Sequence, residues 1–159
     1  MTQRIDTSSL LIRAPSSKVY EAFSSPGAME EWLPPPNMTG KMLAFDFRPG
    51  GRYRMRLTYK EPSQGTGKTS SDSDEVEVRL AQIDPGYRIV QEVDFESDDP
   101  SFGGTMRMTW IFESTDHGTL VSVRAENVPK GIRAEDHQAG LDSSLANLAR
   151  FVERGRGDA

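Results

Sequence analysis

The stretch AEDHQAGLDSSLANLARFVER (134–154) places Leu141, Leu145, Leu148 and Val152 at i, i+4, i+7 and i+11. That spacing stacks side chains along one face of an α-helix. A helix with such a face needs an apolar surface to cover, and the preceding chain supplies one. It is a run of segments in which apolar residues alternate with polar ones, as in half-buried strands. The fold class turns on how this one helix and that sheet share a core.

The clearest alternation is RYRMRLTY (52–59), with Tyr53, Met55, Leu57 and Tyr59 set against Arg52, Arg54, Arg56 and Thr58. Before it, KMLAFDF (41–47) puts Leu43, Phe45 and Phe47 on one face, and RPGG (48–51) makes the turn between the two. VEVRLAQI (76–83), YRIVQEVDFE (87–96), TMRMTWIFES (105–114) and TLVSVRAENV (119–128) read as further strands, the last two joined at TDHG. IDTSSLLIRAP (5–15) reads as a first strand, with Leu10 and Ile12 on one face. EPSQGTGKTSSDSDE (61–75) has no periodicity and reads as a flexible hairpin loop.

Two short helices interrupt the strands early. Pro15 suits the first helical position, and SSKVYEAFSS (16–25) follows as a short helix, where Val19, Ala22 and Phe23 fall at helical spacing. Ser25 and Pro26 then restart a second helix, with Met29, Trp32 and Leu33 as its apolar face. Pro34, Pro35 and Pro36 end it, because each lacks a donor and restrains the residue before it.

The expected fold is therefore α+β. It has a first strand, two short helices, a curved antiparallel sheet of six to seven strands in all, and a long C-terminal helix. We expect one domain over residues 1–159, with a core from about 5 to 154. A helix about 10–12 Å wide is narrower than such a sheet. The sheet must curve around it, and a gap between the two is expected.

Composition excludes several function classes. A net charge of −5 gives no bulk attraction to nucleic acid or an anionic membrane. No apolar run approaches the roughly 20 residues of a spanning helix. MTQRIDTSSLLIRAP (1–15) lacks the basic-then-apolar layout of a secretion signal. The absence of cysteine fits a cytoplasmic protein and removes disulfides, thiolate metal sites and cysteine nucleophiles. With two histidines there is no persuasive zinc site, so neither metal nor cofactor is expected. Arg52, Arg54 and Arg56 share a strand face, but the aromatics lie on the opposite one, which does not suit nucleic acid. No nucleophile elbow is present, and RPGGR joins two strands rather than opening a helix, so it is no phosphate loop.

Taken in order, APSSKVYEAFSSPGAMEEWLPP, DFRPGGRYRMRL, EVRLAQIDPGYRIVQEVDFE, MTWIFESTDHGTLVSVRAENVP and GLDSSLANLARFVE resemble the family of homologues of the activator of the heat-shock-protein-90 ATPase. That family belongs to the START-like, helix-grip superfamily. The resemblance implies a curved sheet gripping the C-terminal helix, with a cavity between them. It also implies that Trp32 stands at the cavity end of the long helix, either as an aromatic gate or as a seal with its N–H on a rim carbonyl. The family often opens its last helix with Gly-Trp, where this chain has Gly140–Leu141.

If the alternation holds, Tyr53, Met55, Phe95, Met106, Met108 and Trp110 face inward, as ordinary core or as an adaptable apolar pocket. Leu141 and Leu145 oppose them from the helix. His137, four residues before Leu141, shares that face and is either a polar anchor at the cavity mouth or a solvated first-turn histidine. Glycine inside a helix costs stability, so Gly140 suggests either a close backbone approach or a place at that mouth. The leading expectation is a non-enzymatic domain binding a small hydrophobic or amphipathic molecule. A chaperone-interaction module and a cyclase- or hydratase-type enzyme on a polyketide-like substrate are the alternatives.

Overall fold

A computed structural model describes residues 4–35, 37–60, 73–94 and 104–157. The elements run β1 (Ile5–Ile12), α1 (Ser16–Ser24), α2 (Pro26–Trp32), β2 (Met38–Asp46), β3 (Arg52–Tyr59), β4 (Ser73–Asp84), β5 (Arg88–Asp94), β6 (Thr105–Thr115), β7 (Gly118–Glu126) and α3 (Ala134–Gly157). The seven strands form one antiparallel sheet in the order β1-β7-β6-β5-β4-β3-β2. Its two edges, β1 and β2, are consecutive strands in the chain. The helices joining them, α1 and α2, therefore have the whole width of the sheet to cross. This is the helix-grip arrangement that the resemblance implies.

Local chemistry explains the breaks. Pro15 is extended at ψ 152° and caps α1 rather than taking its first position, which falls to Ser16. The Ser25 hydroxyl accepts from the Ala28 N–H at 3.3 Å and Pro26 takes the first position of α2. The Leu33 N–H closes α2 on the Met29 carbonyl at 3.0 Å, and Pro34 follows, itself buried. At the β2–β3 turn Gly50 has φ +84°, and a Cβ on Gly51 would fall 2.1 Å from the Asp46 carbonyl oxygen.

Four expectations need correction. The first strand ends at Ile12, so residues 13–15 are not part of it. In β2 the register shifts between Met42 and Ala44, so Met42 pairs with Met55 while Phe45 pairs with Tyr53. The extra residue is Leu43, which is 41 % exposed, because a β-bulge inverts the parity of everything before it. β4 begins at Ser73, so residues 73–75 are strand rather than loop, while 61–72 lie outside the described residues. Gly140 has no close neighbour, since a Cβ there would meet nothing within 4 Å.

Charge separates the two faces of the sheet. On the outer face Arg52 pairs with Glu77 at 3.2 Å, while Arg54 and Arg56 pair with Glu75 at 2.8 and 3.2 Å. Glu92 and Asp94 instead flank Arg79. The concave face is apolar and carries α3. Leu141, Leu145 and Leu148 are buried against it, and Val152 is half-buried. Burying a leucine contributes roughly 1.5–3 kcal/mol.

The backbone of α3 comes closest to β1, and approaches α1 and α2 as well. Polar bonds tie it to the edge strand. Gln138 donates to the Thr7 carbonyl at 3.0 Å, the Arg13 N–H to Glu153 at 2.9 Å, and Ser8 pairs with Asp142. Leu10 shares its face with Ile12 as expected but stays 36 % exposed on this edge. At the other edge Glu30 accepts from the Met42 N–H at 2.6 Å, just where the bulge begins. Among the described residues no helix is long and apolar enough to cross a membrane.

Candidate functional site

The floor of the concave face is an aromatic cluster. Trp32 is 1 % exposed, and its indole N–H donates to the Ala22 carbonyl of α1 at 2.8 Å. Phe23 meets Trp32 and Trp110 edge-on, with ring centroids 5.0 and 5.1 Å away. Trp32 and Trp110 are 6.3 Å apart. Edge-to-face packing of this kind orients rings beyond what area burial alone does. The tryptophan of α2 is thus fixed at both ends, by a hydrogen bond and by two neighbouring rings.

A polar chain runs through this apolar floor. Trp110 Nε1 donates to Gln91 Oε1 at 3.0 Å, and both residues are buried. Gln91 also acts on the Tyr53 phenol. Burial pushes that phenol well above its ordinary range, and Gln91 offsets part of the rise. Tyr53 therefore keeps its proton at any physiological pH. Gln91 and Thr119 are the buried polar side chains among the described residues, and Thr119 is spent on the Ala14 carbonyl at 2.7 Å.

Beside the buried floor, inward-facing side chains on four adjacent strands keep part of their surface in solvent. They are Leu57 of β3, Val76 of β4, Val93 of β5 and Met108 of β6, each half-buried against the main core. Next along the same strands, Met55, Val78, Gln91 and Trp110 are buried.

The expected residues divide as follows. Trp32, Tyr53, Met55, Trp110, Leu141 and Leu145 share one buried cluster, with Met108 packed against it. Met106 belongs to a second cluster with Ala125 and Val128, and Met108 touches both. Phe95 lies outside the described residues.

His137 sits on the β1 side of the molecule. Its Nδ1 is 2.7 Å from the Asp6 carboxylate, which Arg4 also holds at 2.9 Å. Arg4 reaches the carbonyls of Pro129 and Ile132 in turn. Burial raises the Asp6 carboxyl, but the bonds from Arg4 and His137 outweigh it and leave it below its ordinary value. His117 is exposed and lines an open surface groove with Ser16, Ser17 and Ser114. No cluster of three or more metal-ligating side chains occurs among the described residues.

Sequence reading missed Gln91 and Asp6. Gln91 was signalled by its place in Ile89–Gln91–Val93, a polar residue in the inward register of β5. Asp6 carried no such signal, because its partner lies 131 residues away and meets it only once β1 lies beside α3.

The family model of activator of Hsp90 ATPase homolog 1-like proteins matches residues 13–153. Among solved structures, a protein from Chromobacterium violaceum is 30 % identical with a TM-score of 0.78, covering 94 % of this chain and 96 % of its own. An AHSA1-like protein from Aeromonas hydrophila is 17 % identical with a TM-score of 0.77, covering 96 % and 94 %. A protein from Staphylococcus epidermidis is 19 % identical with a TM-score of 0.71, covering 96 % and 90 %. The last two show likeness of fold alone. No curated protein matches the chain.

Proposed function

We propose, for a chain that belongs to the family of activator of Hsp90 ATPase homolog 1-like proteins, that it binds a small hydrophobic or amphipathic molecule without transforming it. The ligand enters between the concave face of the sheet and α3. The observation that carries this reading is the arc of Leu57, Val76, Val93 and Met108, apolar residues on the inward face that remain half-exposed beside a buried aromatic floor. A core with no further task would cover such residues. Met55 and Met108 suit a pocket that adjusts to its occupant, since an unbranched thioether repacks at little cost.

Binding is favoured over catalysis by the position of the ionisable groups. Acid–base chemistry needs a titratable pair converging on one point. His137 is held by Asp6 at the β1 edge, far from the buried phenol of Tyr53, on which an uncharged amide, Gln91, acts.

The test is equilibrium dialysis of 2-ethylnaphthalene against the wild type and Val93→Trp, after circular dichroism shows both folded. The wild type should bind, and the variant at least tenfold more weakly, because an indole fills the arc. Equal binding by both proteins places the site elsewhere. No binding by the wild type overturns the ligand reading and leaves a protein-docking role as the better account of the fold.

A further inference from the structure

The half-exposed arc lies toward one end of the sheet, where β5 finishes and β6 begins. Val93 pairs there with Met106, and Glu126 at the close of β7 pairs with Arg107. From that end residues 127–133 cross to α3 as a strap. Its underside is apolar. Val128 is buried in one cluster with Met106 and Ala125, and Ile132 and Met108 pack against that cluster. Met108 also belongs to the arc, so the strap borders the ligand's proposed place.

The strap is held down through one residue. The Arg4 guanidinium donates to the Pro129 carbonyl at 3.3 Å and to that of Ile132, and the Val128 N–H donates to the Arg4 carbonyl at 3.4 Å. Among the described residues, these are the hydrogen bonds that join residues 128–132 to another part of the chain. Arg4 is itself set by Asp6 at 2.9 Å, and Asp6 meets His137 in the first turn of α3 at 2.7 Å. The Asp6 side chain is 13 % exposed, so the carboxylate that anchors Arg4 is largely out of water, where a charge-assisted bond is stronger. At the near end of the strap Asn127 has φ +59°, a left-handed conformation that asparagine tolerates, and its amide donates to the Thr105 carbonyl at 2.8 Å. The strap is thus pinned at Asn127, continuous with α3 at its far end, and latched between them by Arg4.

We propose that residues 127–133 form a lid at the open end of the concave face, with the Arg4–Asp6–His137 cluster as its latch. This rests on the ligand-binding reading above. Released from Arg4, the strap lies on the small cluster of Val128 and Ile132 alone, and a segment with so few contacts opens locally while the strands stay paired. Lifted, it uncovers Met106 beside Met108 and lengthens the arc. The ligand passes while the latch is open and is retained while it is shut, so the latch sets the rates of entry and exit.

The experiment compares the full chain as wild type, as Arg4→Met, and as Arg133→Met. The last is a control, since Arg133 pairs with Glu135 on the exposed start of α3. Amide exchange is followed by nuclear magnetic resonance without ligand, and release of 2-ethylnaphthalene by stopped-flow fluorescence. In Arg4→Met the Val128 and Ile132 amides should exchange about tenfold faster, and the probe should leave about tenfold faster, as loss of a bond to a charged group implies. Val121 and Val123 in β7 should keep their rates, and Arg133→Met should match the wild type throughout. Unchanged strap exchange with the probe still bound overturns the latch and leaves the binding site standing. Faster strap exchange with unchanged probe release overturns the lid. Faster exchange across β7 as well, or the same change in Arg133→Met, overturns the assignment to Arg4. A wild type that binds no probe overturns the ligand reading, and the lid with it. Should Arg4→Met not fold, the wild type decides: Val128 should exchange by a local opening that denaturant leaves unchanged, and exchange through global unfolding alone overturns the proposal.

Discussion

Gly40 and Pro34 are in direct contact: a Cβ built on Gly40 would lie 2.7 Å from Pro34 Cγ, and 3.0 Å from the sulfur of Met55. The buried proline after α2 is seated on the bare backbone of β2, with Met55 below. This contact docks the end of α2, and Trp32 with it, onto the sheet edge.

Gly40→Ala should therefore destabilise the protein by about 1–3 kcal/mol, the usual cost of forcing atoms into a packed site. Thermal unfolding followed by circular dichroism checks this. An unchanged melting temperature would mean that Pro34 moves aside freely.

Gly140→Ala should have the opposite sign. The added methyl meets nothing within 4 Å, and alanine is favoured over glycine inside a helix by about 0.5–1 kcal/mol. The same unfolding assay should show a higher melting temperature. A lower one would indicate that Gly140 has a contact the fold does not display.

Leu145→Ala should cost about 2–5 kcal/mol, since the side chain is 1 % exposed in the main core. Ser143→Ala, on the exposed side of α3, should change little. Similar denaturation midpoints for the two variants would refute the assigned face of α3.

These residues also mark what the sequence carried. The alternation in β3 was legible because its inward side chains are apolar and its outward ones are arginines with acidic partners. The i, i+4, i+7 pattern of α3 was legible for the same reason. The bulge at Leu43 was not, because one extra residue reverses a strand's parity without any change in composition. Of the two reasons offered for Gly140, the close backbone approach was misread, as helix propensity alone cannot say what stands opposite a residue. Within the candidate site, the floor of Tyr53, Met55 and Trp110 followed from periodicity. The anchoring of Trp32 to Ala22 and of His137 to Asp6 depends on how separate elements dock, which no local pattern encodes.

The Asp6 carboxyl gives a pH signature. Its value in the folded protein lies below the ordinary 3.8, because the bonds from Arg4 and His137 outweigh desolvation. Its contribution to stability is then complete above the unfolded value and is lost as pH falls through the lowered folded one. Denaturant titrations from neutral pH to below pH 4 should show wild-type stability falling across this window, and Asp6→Asn falling less. Parallel curves for the two proteins would remove Asp6 from the acid response.

The central claim, that an apolar molecule enters beneath α3, is tested most directly by nuclear magnetic resonance on protein labelled at its methionine methyls. Titration with 2-ethylnaphthalene should move the resonances of Met108, half-exposed on the arc, and Met55, buried on the floor. Saturable shifts at both methyls are the predicted result. Shifts confined to other methionines, or none at saturating probe, would contradict a binding site between the concave face and the helix.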